Sequence, residues 1–321
     1  MRIYYARPIF TRSEHEFNTK VERLVDEAGI RRQRSGGMKE NDTRTRAKRV
    51  FDNDYAGIEE AQAMLTILSG TEVDDGTAAE IGIFHALMRA DKGRKGIVAV
   101  LDDWRTDTQN PKFEGKGLSY SILGCLRRSG VIVQTVEDGI EKLREWDKEL
   151  EVSLPMPDAS CAGDGTSEPA GLVYLTGPLY TPYARQYIAE RAQALRDRGM
   201  EVYVPSGRAE VHPTLTPEEV FDQDSEALSR ASALVAVMDG AQVDDAVAME
   251  IGIFCVLSRR DPAKKGILGL MTDSRGLRWR DNEFGTNLFV AGAIHECGRI
   301  MDNFDGLVGQ LGGWMKDVTC G

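Results

Sequence analysis

The sequence contains one twelve-residue stretch twice, 170 residues apart. Residues 73–84 read Val-Asp-Asp-Gly-Thr-Ala-Ala-Glu-Ile-Gly-Ile-Phe, and residues 243–254 read Val-Asp-Asp-Ala-Val-Ala-Met-Glu-Ile-Gly-Ile-Phe. Other matches share this offset: residues 3–11 with 173–181, 51–54 with 221–224, and 63–68 with 233–238. Several anchors at one offset indicate a duplicated domain. We therefore predict two copies of one fold, at residues 1–150 and 171–321.

The segment between the two copies has a different composition. Residues 151–170 carry three prolines among small and acidic residues and show neither a helical nor a strand period. Such a composition is typical of an interdomain linker.

Within each copy, short apolar strand patterns alternate with helical patterns, which predicts a parallel sheet covered on both faces. The fold class is therefore α/β, with two tandem flavodoxin-like doubly wound domains that each contain a five-stranded parallel sheet. In the first half the second strand is poorly formed, because residues 31–34 read Arg-Arg-Gln-Arg. Ligands of such sheets bind where the winding reverses. This rule brings residues 6–11, after the first strand, beside the acidic loop at residues 69–76.

A glutamate follows each acidic loop, in what we expect to be the first turn of a helix. Thr77 and Glu80 have the spacing of a capping box, in which both side chains satisfy free amides at a helix start. In the second copy Val247 replaces the threonine, yet Glu250 remains. Capping alone therefore does not explain the glutamates. The helix dipole would favour an ionised carboxylate there, as a nucleophile requires.

The bulk composition excludes several classes of protein. The formal net charge of -11 disfavours a nucleic-acid binder, and no apolar segment is long enough to span a membrane. The N-terminus lacks the apolar region of a signal peptide, so we expect a cytoplasmic protein. The five cysteines show no CxxC pair and the histidines no ligand spacing. We expect neither a metal nor an organic cofactor.

Five short motifs occur in the same order in both halves, some of them incompletely. They are Tyr-x-Ala/Thr-x-Pro-Leu/Ile-Phe/Tyr at the first strand, Asn/Gln-Asp before the third, Asp-x5-Glu-Ile-Gly, Thr/Asp-Asp-x-Arg, and Asn-Leu-x-x-x-Gly. In this combination the chain resembles the nucleoside 2-deoxyribosyltransferase family over almost its whole length. The resemblance implies a carboxylate that attacks the anomeric carbon of a deoxynucleoside, followed by attack of a second base, with retention of configuration.

The resemblance also assigns catalytic roles to residues of this sequence. Glu80 matches the nucleophile, and Tyr4 matches the hydroxyl that orients it. Asp74 matches a carboxylate that contacts the base and can protonate it as it leaves, and Asp54 matches a second carboxylate that contacts the base. The corresponding residues of the second half are Glu250, Tyr174, Asp244 and Asp224.

In the family that this chain resembles, each site is completed by an asparagine from the neighbouring subunit. This asparagine holds the sugar 5' hydroxyl. Asn287 matches it, and we expect Phe289 of the same motif to line the substrate site. The first half carries Ser119 at the matching place. If the halves pair as an intrachain pseudo-dimer, the Glu80 site receives the asparagine and the Glu250 site the serine. We therefore expect unequal sites, with the first carrying most of the turnover.

Other residues depart from the family pattern. Arg7 stands where the second half has Gly177. The arginine could crowd the first site or supply a cation for a phosphate. Residues 31–49 carry eight basic residues, which are either solvated or form an anion-binding patch. Ala246 replaces Gly76, and we expect it to stiffen the loop of the second site.

The leading hypothesis is transfer of a 2-deoxyribosyl group between a deoxynucleoside and a free nucleobase. Two alternatives stay open, namely an N-glycoside hydrolase acting on nucleosides or nucleoside 5'-monophosphates, and a nucleotide-binding sensor without catalysis. The preference for purine or pyrimidine and any further homo-oligomer also stay open.

Overall fold

The structure of the protein is a computed structural model. It describes residues 1–33, 42–70, 72–103, 118–152, 171–205, 215–275 and 285–316. Most of the expected linker, residues 153–170, lies outside this part of the chain, as do Arg34 and Lys39 of the basic stretch and Arg105 of the fourth motif. The division into residues 1–150, 151–170 and 171–321 stays a prediction.

The first half alternates strands and helices from its first described residues. Its elements in chain order are β1 (Arg2–Ala6), α1 (Arg12–Glu27), β2 (Arg31–Arg32), α2 (Arg46–Glu60), β3 (Ala63–Ile67), α3 (Asp75–Ala90), β4 (Gly96–Val100), α4 (Tyr120–Ser129), β5 (Gly130–Val133) and α5 (Val136–Val152).

The second half repeats this order. Its elements are β6 (Leu172–Thr176), α6 (Pro182–Arg196), β7 (Glu201–Tyr203), α7 (Pro217–Arg230), β8 (Ala233–Val237), α8 (Asp245–Arg260), β9 (Gly266–Leu270), α9 (Leu288–Cys297), β10 (Arg299–Met301) and α10 (Phe304–Lys316).

Each half contains one five-stranded sheet in which all pairings are parallel. The strand orders are β2-β1-β3-β4-β5 and β7-β6-β8-β9-β10. The winding therefore reverses between β1 and β3 in the first half and between β6 and β8 in the second. The α/β class and the two doubly wound domains are confirmed. The weak second strand is also confirmed, because β2 contains only two residues.

The central strands are buried on both faces, as the helices on either side require. Every residue of β3, β4, β8 and β9 is buried. This burial explains why these strands read as continuous apolar runs rather than as an alternation of apolar and polar residues.

The two halves pack against each other through α3 and α8. Gly82 lies on one helix and Gly252 on the other, at the glycine of the repeated Glu-Ile-Gly. A Cβ on Gly82 would lie 2.1 Å from the carbonyl oxygen of Met249, and a Cβ on Gly252 would lie 2.2 Å from that of Ala79. The backbones of the two helices are thus in direct contact, and a side chain at either glycine would separate them.

Two flanking helix pairs extend this contact. A Cβ on Gly292 of α9 would lie 2.4 Å from Cβ of Phe51 on α2, and a Cβ on Gly124 of α4 would lie 2.6 Å from Cβ of Phe221 on α7. The glycine of Asn-Leu-x-x-x-Gly therefore has a packing role, and its counterpart in the first half has the same role. Both pairs bring a helix of one half onto a helix of the other.

Ion pairs at these flanking contacts have reversed charges. Lys48 of α2 pairs with Glu296 of α9 at 2.6 Å, whereas on the other side the acid, Asp222, is on α7 and the cation, Arg128, is on α4, at 2.5 Å. Exposed pairs of this kind each contribute about 0 to 1 kcal/mol.

No helix in the described ranges is both long enough and apolar enough to cross a membrane.

The close contact of α3 and α8 makes a prediction about stability. Gly82→Ala and Gly252→Ala should each lower the free energy of unfolding by about 1 to 3 kcal/mol, because the new methyl group meets backbone that cannot give way. Gly309→Ala is the matched control, because this glycine lies inside α10 with no atom within 4 Å of an added Cβ. It should be neutral or stabilise by up to about 1 kcal/mol. Chemical denaturation monitored by circular dichroism measures all three variants, and similar effects in all three would contradict the packing argument.

Candidate active site

Glu80 of α3 accepts a hydrogen bond from a side chain of β1. The hydroxyl of Tyr4 donates a hydrogen bond of 2.5 Å to Oε1 of Glu80, and both side chains are buried. This contact joins residues 76 positions apart. The topology that places β1 beside β3 brings them together, as the sequence pattern predicts.

Asp74 is the N-cap of α3, and this corrects the capping expectation. Its Oδ2 accepts hydrogen bonds from the backbone N of Thr77 at 2.8 Å and from the hydroxyl of Thr77 at 2.9 Å. Glu80 is therefore the sixth residue of the helix and lies in its second turn, not its first. Thr77 and Glu80 form no capping box, because the helix begins three residues earlier than that motif would require.

A cavity of 430 Å³ opens beside Glu80. It is lined by Tyr4, Tyr5, Arg7, Ile9, Glu22, Arg32, Gln33, Asp54 and Glu80. Three residues proposed from the sequence for catalysis or base contact, Tyr4, Asp54 and Glu80, thus share one cavity. Such a cavity has the size of a small-molecule site.

The carboxylates of this site hold protons more tightly than ordinary carboxylates. Burial, followed by the nearby charge of Asp54, raises the pKa of Glu80 well above its usual value. Burial raises the pKa of Asp54 to about 6 and also raises the pKa of Asp74. The pKa shift of Glu80 is opposite in direction to the one that the helix dipole would cause. Glu80 lies beyond the first turn, and desolvation and like charge outweigh the dipole there.

Arg7 lines the cavity but already has partners. Its guanidinium donates to Oε1 of Glu22 and to the carbonyl oxygen of Tyr5, both at 2.7 Å, and lies over the Tyr5 ring. Its positive charge partly offsets the rise in the pKa values of Asp54 and Glu80. The Nε of Arg7 is buried and has no hydrogen-bond partner among the residues described, so a role of Arg7 toward a phosphate stays a prediction.

Three residues of the basic stretch pair with acids. Arg32 bonds both carboxylate oxygens of Asp26 at 2.9 Å. Arg44 and Lys48 both pair with Asp52. Arg49 donates instead to the backbone carbonyl oxygens of Asp42 and Arg44, and Arg34 and Lys39 lie outside the described residues. Whether the stretch binds an anion stays open.

Asn287 contacts the loop of the first site from the opposite half. Its Oδ1 accepts a hydrogen bond of 2.9 Å from the backbone N of Phe289, so it caps α9. It also hydrogen-bonds Asp75, and its Nδ2 would lie 2.6 Å from a Cβ on Gly76. The asparagine therefore lies on the expected side, and its contact with a sugar stays a prediction.

Ser119 of the first half makes the equivalent contact with the second half. It caps α4 and hydrogen-bonds Asp245. Gly76 and Ala246 lie in the first turns of α3 and α8 rather than in loops, so the expected stiffening of a loop does not apply. The nearby Asn287 amide explains the glycine at position 76. A serine is shorter, so the start of α8 has room for a methyl group.

Phe289 does not line the substrate site as predicted. Its side chain is 4% exposed, and its ring packs on the ring of Phe51 with centroids 5.4 Å apart. Phe289 is the second residue of α9, and its side chain packs in the core between α9 and α2.

The second half repeats the central pair of the first. Tyr174 donates a hydrogen bond of 2.7 Å to Oε1 of Glu250. Asp244 caps α8 by accepting from the backbone N atoms of Ala246 and Val247 at 3.0 and 3.2 Å. Burial raises the pKa of Glu250 to about 8 and that of Asp244 to about 7.

Several residues that contact these sites were not predicted. Asp75 is buried and accepts from the backbone N of Val243 at 3.2 Å, across the interface. Gln33 and Glu22 line the cavity. The Asp-Asp pair could have indicated Asp75, because this pair recurs in both copies. In the described ranges, no group of three or more His, Cys, Asp or Glu side chains could hold a metal ion.

Comparisons with known proteins agree with this geometry. The profile of the family described as nucleoside 2-deoxyribosyltransferase matches residues 3–120 and again residues 173–298. The chain therefore belongs to the nucleoside 2-deoxyribosyltransferase family, with two copies of its domain. No match was found among curated proteins.

Two solved structures show weaker similarity. A conserved protein from Enterococcus faecalis V583 is 23% identical, with a TM-score of 0.38, over 45% of this chain and 98% of that chain. The transcriptional repressor ascG of Escherichia coli is 12% identical, with a TM-score of 0.22, over 99% of this chain and 91% of that chain.

The raised pKa of Glu250 predicts how stability depends on pH. Between about pH 4.5 and 8 the folded protein keeps a proton on Glu250 that the unfolded chain releases. The free energy of unfolding should therefore fall as pH rises through this window, by up to about 1.4 kcal/mol per pH unit. Glu250→Gln should remove this contribution. Urea denaturation of both proteins at pH 5, 6, 7 and 8 measures it, and a constant difference between them would contradict the prediction.

Proposed function

We propose that the protein transfers a 2-deoxyribosyl group between nucleobases through a covalent intermediate on Glu80. The observation that carries this proposal is the buried Tyr4–Glu80 hydrogen bond of 2.5 Å, facing a cavity that also contains Asp54. A fixed carboxylate beside an acid with a raised pKa is the arrangement that retaining glycosyl transfer requires. Membership of the family supports the same class of reaction.

In the first step an oxygen of Glu80 forms a bond to C1' of the deoxynucleoside. The C1'–N bond breaks, and its electron pair leaves with the base. Tyr4 holds Oε1, so the attacking oxygen is the one that has no bond to the tyrosine. Fixing the carboxylate in one orientation lowers the entropic cost of the attack.

The proton for the departing base comes from the carboxylate cluster. The pKa values of Glu80, Asp54 and Asp74 are all raised, with burial as the main cause. Neighbouring carboxylates that cannot all ionise keep a proton near neutral pH. With Glu80 ionised for attack, Asp74 or Asp54 carries that proton to the base.

In the second step a different nucleobase occupies the cavity and attacks C1' from the opposite side to Glu80. The ester bond breaks and the carboxylate returns to its initial state, while the incoming base gives its proton to the aspartates. Two inversions give net retention. Asn287, which reaches the first site from the other half, is proposed to hold the 5' hydroxyl during both steps.

The proposal is tested by incubating the protein with a deoxynucleoside and a different free base. We expect a new deoxynucleoside by liquid chromatography, at a rate that depends on the acceptor base. Free deoxyribose as the only product would identify a hydrolase instead, and binding without turnover would identify a sensor.

The two glutamates should differ in this assay. Glu80→Gln should lower the rate of transfer roughly 10³-fold or more, as loss of a covalent nucleophile does. Glu250→Gln is the matched control, because Tyr174 holds it in the same geometry. The Glu250→Gln variant should retain most of the transfer activity. Equal losses would mean that both sites work or are coupled, and the reverse ranking would assign the chemistry to the second half.

A further inference from the structure

The second half carries a tyrosine where the first half has Gln33. In the first half the backbone N of Gln33 bonds the carbonyl oxygen of Ile3, next to Tyr4, and its side chain lines the cavity. In the second half Tyr203 is the register partner of Tyr174 in the sheet. The two positions are therefore equivalent, but their side chains are very different in size and shape.

The ring of Tyr203 lies inside the second site. It stacks on the ring of Tyr174 with centroids 5.3 Å apart and an interplanar angle of 28°. Its hydroxyl donates a hydrogen bond of 2.6 Å to Oδ1 of Asp224. The equivalent carboxylate, Asp54, faces the cavity and has no hydrogen-bond partner in the described part of the chain.

A second tyrosine covers the other aspartate of this site. The hydroxyl of Tyr180 hydrogen-bonds Asp244. The equivalent residue of the first half is Phe10, which has no hydroxyl; both side chains are largely exposed, Phe10 to 67% and Tyr180 to 58%. Both aspartates that would face a base in the second half therefore bond side chains of their own chain.

The burial of the two sites differs accordingly. Tyr4 and Glu80 are each 9% exposed, whereas Tyr174 is 0% and Glu250 3% exposed. Oε2 of Glu250 is buried and has no hydrogen-bond partner among the residues described. The second carboxylate is positioned like a nucleophile but is less exposed to solvent than Glu80.

We propose that Tyr203 fills the base subsite of the second half, as an internal substitute for a nucleobase, so that each chain binds one nucleoside. A phenol ring has the features such a subsite recognises, namely a flat aromatic surface against Tyr174 and a donor for Asp224. Tyr180 closes the same site from the loop after β6. This proposal rests on the proposed function for the identity of the ligand, but not for the occupancy by Tyr203.

The test exchanges two pairs of equivalent residues between the halves, Tyr203 with Gln33 and Tyr180 with Phe10. All proteins carry Glu80→Gln and Glu250→Gln to stop turnover, and thymidine and 2'-deoxyadenosine are titrated by calorimetry. The parent should bind one nucleoside per chain. Tyr203→Gln with Tyr180→Phe should bind two, Gln33→Tyr with Phe10→Tyr should bind none, and the complete exchange should return the stoichiometry to one. If the protein with Tyr203→Gln and Tyr180→Phe folds but still binds one nucleoside, the proposal is overturned.

A second measurement separates this proposal from the proposed function. If the parent binds neither nucleoside, the proposed function fails, and p-cresol then tests the occupancy alone. Tyr203→Ala leaves a space with the shape of a phenol beside Asp224, so p-cresol should raise the melting temperature of this variant. Tyr183→Ala is the control, because Tyr183 is 76% exposed and should show no such response. Equal responses of the two variants, or none, would overturn the occupancy by Tyr203.

Discussion

The backbone contact between α3 and α8 determines where the chemistry of this protein can take place. Gly82 and Gly252 let the two helices touch, and each glycine lies two residues after a glutamate of the site. The contact that joins the halves therefore also fixes Glu80 and Glu250. It brings the start of each helix close to the opposite half, where Asn287 bonds Asp75 and Ser119 bonds Asp245. Neither half could build this loop environment alone.

Burial at this contact has an electrostatic consequence. The same packing that orients the glutamates removes them from water, and this desolvation is the largest cause of their raised pKa values. In the first site, a cavity and the positive charge of Arg7 lie beside the carboxylates. In the second site the aspartates bond tyrosines instead. One fold thus contains two copies of a tyrosine–glutamate pair, of which one lines a cavity and the other has the ring of Tyr203 stacked on its tyrosine.

The sequence predicted the fold and the central pair because both depend on short-range patterns and on topology. Apolar runs indicated the strands, and the rule for doubly wound sheets brought Tyr4 to Glu80. The helix start was wrong, because Asp74 and Thr77 both fit a capping pattern and only the backbone shows which one caps. The close approach of Asn287 to Gly76 and the position of the Tyr203 ring depend on how the two halves pack. No local pattern in the sequence contains that information.

The central claim is that Glu80 becomes covalently attached to the sugar. The most direct measurement is peptide mass spectrometry on protein that has been mixed with a deoxynucleoside, quenched in acid within the first turnover and digested. The account predicts one deoxyribosyl adduct, on the peptide that contains Glu80, which disappears when a free base is added before the quench. An adduct on the peptide that contains Glu250, or product formation without any adduct under these conditions, would contradict it.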